Sequence, residues 1–286
     1  MILVTGGTGH TGRRLVRTLA DRGEVVRVLT RGPERVAAGP VGAGRVEAVA
    51  GDLTDSGSVA PAFAGCDAVV AMTHIRMAPQ VIAGCRAAGV RRALFMSSTR
   101  RFTRFPEETA RQVIAGEDAV RASGLDWTII RPSMIYGSDA DNNLVHLQRA
   151  LERWPLHPLP AGGRMLWQPV FTWHVVAALV AALDRPVAVG RDYTIAGPEP
   201  VAYRDMVRTM LRHMGRRRLL VPVLLWFLRG MSSLLGAVMR RPPLTGDQID
   251  RLHEDKVFDI SDARRDLGFD PVSFDAGIAR KIAGDV

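Results

Sequence analysis

The stretch from Met1 to Ala20 constrains this chain more than any other. Ile2-Leu3-Val4-Thr5 is a run of strand-forming residues that leads straight into Gly6-Gly7-Thr8-Gly9-His10-Thr11-Gly12. After it, Leu15, Val16 and Leu19 recur at helical spacing. The order predicted is strand, glycine turn, helix. The turn satisfies two glycine spacings at once, through Gly7, Gly9 and Gly12 and through Gly6, Gly9 and Gly12. Glycines let the backbone approach a ligand with no Cβ in the way. The unpaired N–H groups and the positive dipole end of the following helix favour an anion. A phosphate is therefore expected here, held by Gly6, Thr8, Gly9, His10, Thr11 and Gly12.

Downstream, apolar runs and helical segments alternate. Glu24–Thr30, Val46–Ala50, Ala68–Met72, Ala93–Met96, a run ending at Pro132 and Asp192–Ala196 read as strands. Helices are expected at 58–64, 79–88, 144–153, 175–183, 203–214 and 274–282. This alternation predicts an α/β fold, a doubly wound parallel sheet of the Rossmann type. We place the nucleotide-binding domain at 1–195, with cap insertions around 138–170, and a small, mainly helical substrate lobe at 196–286. A site selective for NAD carries Asp or Glu about twenty residues past the glycines, to accept from the ribose 2′-OH. Here Thr30-Arg31-Gly32 stands instead. Arg31 suits a 2′-phosphate, so NADP(H) is favoured over NAD(H).

Arginine and lysine outnumber acids 38 to 29, but the surplus is scattered and only Arg216-Arg217-Arg218 is a tight cluster. With no interleaved aromatics, nucleic-acid binding is not expected. The two cysteines, Cys66 and Cys85, cannot form a disulfide framework and suit a reducing compartment, with the cytoplasm as the expected location. The N-terminus does not read as a signal peptide. The most apolar stretch, 219–239, is interrupted by Pro222, Arg229 and Gly230 and is no spanning helix. Its stripe from Leu224 fits a lid over an apolar pocket or a subunit contact in a homodimer, contact with a bilayer surface, or plain core. Ser138-Asp139-Ala140-Asp141-Asn142-Asn143 begins like a calcium loop, but Leu144 and Ala150 stand where glycine and glutamate are required, so no metal is expected. Trp154–Pro160, crowded with proline, reads as an irregular segment beside a pocket.

Several motifs together resemble the extended and atypical short-chain dehydrogenase/reductase superfamily. They are the glycine turn, Gly51-Asp52-Leu53, Ser97-Ser98, the run Ser123-Gly124-Leu125-Asp126-Trp127-Thr128-Ile129-Ile130-Arg131-Pro132, Tyr136-Gly137, and Gly268-Phe269-Asp270-Pro271. The nearest branches are the NAD(P)-binding, NmrA-like and epimerase-like proteins. The resemblance implies that Asp52 and Leu53 flank the adenine, that Ser97 lies near the nicotinamide and that Pro132 lines its other side. Thr73 and His74, at the end of their strand, should open onto the cofactor crevice.

The chain departs from the family where chemistry is concerned. Catalytic members carry Tyr-x-x-x-Lys on the helix after the fifth strand, and those places fall near Thr109 and Val113 here. The only lysines are Lys256 and Lys281. Ser97, Ser98, His74 and Tyr136 are the candidates for a replacement proton donor. Sugar epimerases of the superfamily usually have aspartate before the helix at 175–183, where this chain has Trp173-His174. The expected function is an NADP(H)-dependent oxidoreductase acting on a carbonyl or alcohol in an apolar small molecule. The alternatives are a non-catalytic NADP(H) sensor or scaffold, and a nucleotide-sugar epimerase or dehydratase.

Overall fold

The structure is a computed structural model and describes residues 1–36, 39–105, 107–138, 144–224 and 254–284, with the side chains of 56–58 left aside. The strands are β1 (Ile2–Thr5), β2 (Val25–Thr30), β3 (Gly39–Val41), β4 (Gly44–Ala50), β5 (Ala68–Ala71), β6 (Arg92–Met96), β7 (Asp126–Pro132), β8 (Ile135–Tyr136), β9 (Leu156–Pro160), β10 (Leu166–Trp167), β11 (Val170–Phe171), β12 (Arg191–Ile195), β13 (Val201–Ala202) and β14 (Leu219–Val223). The helices are α1 (His10–Asp21), α2 (Ser56–Phe63), α3 (Ala78–Ala88), α4 (Glu108–Arg121), α5 (Leu144–Arg153), α6 (Thr172–Asp184), α7 (Tyr203–His213), α8 (Ser261–Leu267) and α9 (Phe274–Ala283). The main sheet runs β12-β7-β6-β5-β1-β2-β4-β3, parallel except for the antiparallel pairing of β3 with β4.

Side-chain alternation along the central strands explains the layering. Ile2 and Val4 of β1 join a core with Leu15, Val16 and Leu19 of α1 and with Val175, Val176 and Leu179 of α6. Leu3, pointing the other way, joins Val59 and Phe63 of α2, Val81 and Ile82 of α3 and Val113 of α4. Both faces are covered, so β1 and β5 are buried along their whole length. Each fully buried Leu or Val contributes about 1.5–3 kcal/mol.

A third cluster builds the cap. Tyr136, Leu144, Leu151, Leu159, Phe171, Met206, Met210, Phe274 and Ile278 pack together over the carboxyl end of the sheet. The packing does not divide near residue 195. Ala263, Leu267 and Phe269, around α8, return to the core of the main sheet, and α9 packs on α7 in the cap.

Two segments differ from the sequence reading. Leu156–Pro160, expected to be irregular, is a strand paired in parallel with Leu219–Val223. Its prolines, Pro158 and Pro160, lie in a two-stranded edge where missing N–H donors are tolerated. The β3–β4 hairpin was not foreseen at all. Of the apolar stretch 219–239, only 219–224 lies within the described residues, as does only Ser138 of the loop before α5. Among the described residues no helix is long and apolar enough to cross a membrane.

A buried ion network ties the far half of the sheet together. Glu117 of α4, fully buried, accepts two hydrogen bonds from Arg131 of β7, at 2.7 and 2.8 Å, and one from Arg121 at 3.0 Å. Arg131 and Arg121 also donate to Asp192 of β12. Burial alone would raise the Glu117 carboxyl, but hydrogen bonds from Arg131 and Ser97 and the charges of Arg131 and Arg101 hold it below the ordinary value. Asp192 is depressed in the same way, burial again being outweighed by Arg131 and Arg121.

Removing one partner of a buried pair leaves the other charge unpaired, so Glu117→Ala is expected to cost about 3–5 kcal/mol in urea unfolding. Both carboxylates are lowered on folding, so their stabilisation is present above the unfolded values of about 4.3 and 3.9. It is lost as pH falls through the lower folded values. Glu117→Gln should make stability less dependent on pH below about 4.5, as followed by acid titration of the unfolding midpoint.

Candidate functional site

The glycine turn sits where β1 passes into α1. Gly6 is left-handed, with φ 70°, and a Cβ on it would lie 3.0 Å from the Met72 carbonyl carbon. A Cβ on Gly12 would lie 2.3 Å from the Gly6 oxygen, so only glycine lets α1 approach the strand this closely. Gly9 N donates to Gly6 O at 3.0 Å and Arg13 N to Gly9 O at 2.8 Å. The helix cap has no side-chain hydrogen bond, and the first turn has no acid. Nothing of negative charge in that turn opposes a pyrophosphate. Thr11 turns inward, only 4 % exposed, with its hydroxyl 3.4 Å from that of Thr172. Its contribution to a phosphate is thus confined to the backbone.

The place expected to hold the adenosine is at the tips of β2 and β4. Arg31 is exposed at 83 % of its side chain, and its guanidinium comes within 3.9 Å of Asp52. Asp52 Oδ1 accepts from the Thr54 N–H and hydroxyl, at 2.9 and 2.8 Å, and these bonds hold its carboxyl below the usual value. Leu53 is buried in the core beneath. Thr73 pairs its hydroxyl with that of Thr5 at 3.3 Å, next to Gly6.

Beyond the turn a cavity of about 670 Å³ opens between the carboxyl ends of β6 and β7 and the cap. Its lining brings together His10, Ser97, Ser98 and Pro132 with Phe102, Met134, Leu144, Leu147, Trp167, Tyr203, Lys256 and Phe258. A second cavity of about 790 Å³ lies across the 254–258 segment and is lined by Asp192, Glu254, Asp255, Asp259 and Asp262. It shares Glu254 and Asp255 with the first cavity and also holds Arg104.

The proposed proton donors fare differently. Ser97 lines the cavity but its hydroxyl donates to Glu117 at 2.6 Å, so the proton is already committed. Ser98 Oγ accepts from Arg100 N at 3.2 Å and caps a short turn. His74 does not line the cavity, and its Nδ1 accepts from Arg76 N at 3.2 Å. Partial desolvation, with Arg76 and Arg100 nearby, pushes its imidazole below the usual histidine value. Tyr136 is a core residue, 1 % exposed, between the rings of Phe171 and Phe274 at 5.5 and 5.2 Å. Burial pushes its phenol well above the ordinary tyrosine value, and it is no donor to the cavity. His174, read as a helix-start hydrogen-bonding residue, accepts from Val272 N at 3.2 Å. Trp173 packs on Arg14, 5.7 Å from the guanidinium to the ring centre.

Three residues lining the cavity escaped the sequence reading, Trp167, Tyr203 and Lys256, while His157 lies in the 154–160 segment expected beside a pocket. Lys256 Nζ lies 4.6 Å from the centre of the Trp167 ring, and Trp167 lies 5.3 Å from the ring of Tyr203. Tyr203 Oη and His157 Nε2 are 3.0 Å apart. The one available signal was that the chain has two lysines. Lys281 is in the cap, donating to Gln148, and Lys256 is at the cavity.

A parallel sheet with a glycine turn at its centre and a cavity at its carboxyl edge defines a dinucleotide-binding protein of the Rossmann type. Residues 6–153 match the family described as NAD(P)H-binding. The chain is 34% identical over 220 residues to (4-alkanoyl-5-oxo-2,5-dihydrofuran-3-yl)methyl phosphate reductase of Streptomyces griseus, spanning 76% of this chain and 74% of that protein. It is 26% identical to an NAD(P)H azoreductase of Xenophilus azovorans, again over 76% and 74% of the two chains. In fold it resembles the dTDP-glucose 4,6-dehydratase DesIV of Streptomyces venezuelae, solved with NAD bound, with a TM-score of 0.76 at 22% identity over 99% of this chain and 97% of that one. The chain belongs to the NAD(P)H-binding family.

Gly12→Ala should weaken NADPH binding by about tenfold or more in fluorescence titration, because the added methyl must push α1 off the turn. Tyr136 Oη has no hydrogen-bond partner among the described residues. Tyr136→Phe should therefore leave NADPH affinity within about twofold and thermal stability unchanged or raised, by up to about 1 kcal/mol.

Proposed function

We propose that this protein is an NADP(H)-dependent reductase acting on the carbonyl of an apolar small molecule. The observation that carries the reading is the single cavity in which His10 of the turn and Ser97 and Pro132 of the sheet face an aromatic wall of Phe102, Trp167, Tyr203 and Phe258. The family's reductases, the Streptomyces and Xenophilus proteins among them, support an oxidoreductase.

Fit of the cofactor rests on the turn, where glycines at 6 and 12 let α1 start close against the backbone of β1 and β5 and its first turn carries no acid. NADP(H), when bound, would supply a hydride at the nicotinamide. Gly6 to Gly12 would hold the pyrophosphate, and Arg31 would meet the 2′-phosphate. Arg31 is free to swing because most of its side chain is in solvent. Asp52, its second oxygen toward Arg31, is placed for the ribose edge. Pro132 has no N–H to leave unsatisfied and gives the nicotinamide ring a flat apolar surface. The aromatic wall excludes water and favours an apolar substrate.

A second reading, an NADP(H)-binding sensor, is favoured by one observation. Val113, where the family's lysine would fall, is buried in the core against α3 and β5 and performs no chemistry.

Purified protein should bind NADPH at least about tenfold more tightly than NADH, and Arg31→Ala should remove most of that difference. Equal affinity, or tighter NADH, would overturn the cofactor preference. Incubation with NADPH and a panel of apolar ketones, enones and quinones, followed at 340 nm, should show turnover. Saturable NADPH binding with no consumption across the panel would favour the sensor.

A further inference from the structure

Reduction of a carbonyl requires a proton for the substrate oxygen, and α4 has no group to give it, with Thr109 and Val113 in place of the family's pair. Several hydroxyls line the cavity, and three of them have committed their protons. Ser97 donates to Glu117 at 2.6 Å, Thr103 to Glu254 at 2.7 Å and Ser133 to the Gln168 carbonyl. Tyr203, like Ser98 beneath the Arg100 N–H, has a partner that can donate to it, and among the described residues it is the one phenol on the lining. Its Oη is 3.0 Å from His157 Nε2. An imidazole with its hydrogen on that nitrogen donates to the phenol oxygen and leaves the phenol's own hydrogen to point elsewhere. The Tyr203 ring is braced by Trp167, which also carries Lys256 on its face. A tyrosine and a lysine thus reach the cavity from α7 and from the 254–258 segment, while α4 supplies neither.

We propose that Tyr203 is the proton donor to the substrate oxygen and that His157 is its positioning residue; this rests on the reductase reading above. As hydride adds to the carbonyl carbon, the C=O π pair moves onto oxygen, which takes the Tyr203 Oη proton. His157 Nε2–H holds the phenolate that forms. The phenolate regains a proton from solvent water as the alcohol leaves, so each turnover consumes one hydride and one solvent proton. A phenol is a stronger acid than the serine and threonine hydroxyls around it. Burial pushes Tyr203 up to about 12, which keeps it protonated before the reaction. Burial also pushes His157 below the usual histidine value, so it is neutral with one N–H to give.

The test uses the full chain with NADPH and whichever ketone of the panel the wild type reduces. Tyr203→Phe should lower kcat about 10²-fold or more while leaving the Kd for NADPH unchanged. His157→Leu should lower kcat with little change in KM, and His157→Gln, whose amide N–H reaches the place of Nε2, should restore most of it. A readout without turnover is the infrared stretch of the ¹³C-labelled ketone carbonyl bound in the presence of NADP⁺. It should lie at lower wavenumber in the wild type than in Tyr203→Phe. The proposal is overturned if Tyr203→Phe loses less than about tenfold in kcat, if the carbonyl stretch is the same in both proteins, or if Lys256→Met and not Tyr203→Phe abolishes reduction. In those cases the reductase reading stands. If the wild type reduces no carbonyl at all, that reading falls and this one with it.

Discussion

Helix α1 begins where it does because glycines remove the atoms that would hold it away from β1 and β5. The approach is close enough that a methyl on Gly12 would meet the Gly6 oxygen at 2.3 Å, and one on Gly7 would meet Val28 at 2.8 Å. With that contact made, Leu15, Val16 and Leu19 fall against β1 and α6, and the main core closes around them. The same contact aims the first turn of the helix at the carboxyl edge of the sheet. Packing and anion binding are one constraint here, since shifting the helix outward to relieve the turn would also open the core.

A second constraint operates on the other side of the crevice. In α4 the face toward the strand ends carries Glu117, which is spent on Arg131, Arg121 and Ser97. This network joins α4, β7 and β12 and compensates a carboxylate with no solvent contact. It also captures the serine that sequence reasoning had placed beside the nicotinamide. Ser97 lines the cavity but donates its proton to Glu117, and that bond is one of those holding the carboxyl below its ordinary value.

The main sheet was legible because its strands are buried on both faces and read as short apolar runs between helical patterns. β1, β2, β5, β6 and β12 fall within a residue of the expected bounds, and β7 ends at Pro132 as expected. The glycine turn was legible for the same local reason. What escaped was non-local or too short to carry a period. β8, β10, β11 and β13 have two residues each, and β9 is studded with prolines. Tyr136 looked like a site residue because it follows a family motif, but only the packing of Phe171, Phe274 and Gly277 reveals it as core. Tyr203 looked like a helix start, and its meeting with His157 joins residues 46 apart in sequence, which no spacing rule anticipates.

The cavity wall is assembled from segments remote in sequence, and specific bonds hold several of them in register. Gln168 donates to Gly197 O at 2.7 Å and accepts from Phe258 N at 2.7 Å, so one buried amide ties the 254–258 segment to the strand end after β12. Asp255 accepts from Leu166 N, and Lys256 N donates back to Leu166 O, which fixes Lys256 over the neighbouring Trp167. Glu254 accepts from Thr103 and Arg104 N on the loop that follows β6. Lys256 and Tyr203 thus stand on the cavity wall without any help from α4. On the reading proposed above, a helix relieved of supplying the reacting groups is free to bury a carboxylate for structure, and the cap takes over the chemistry.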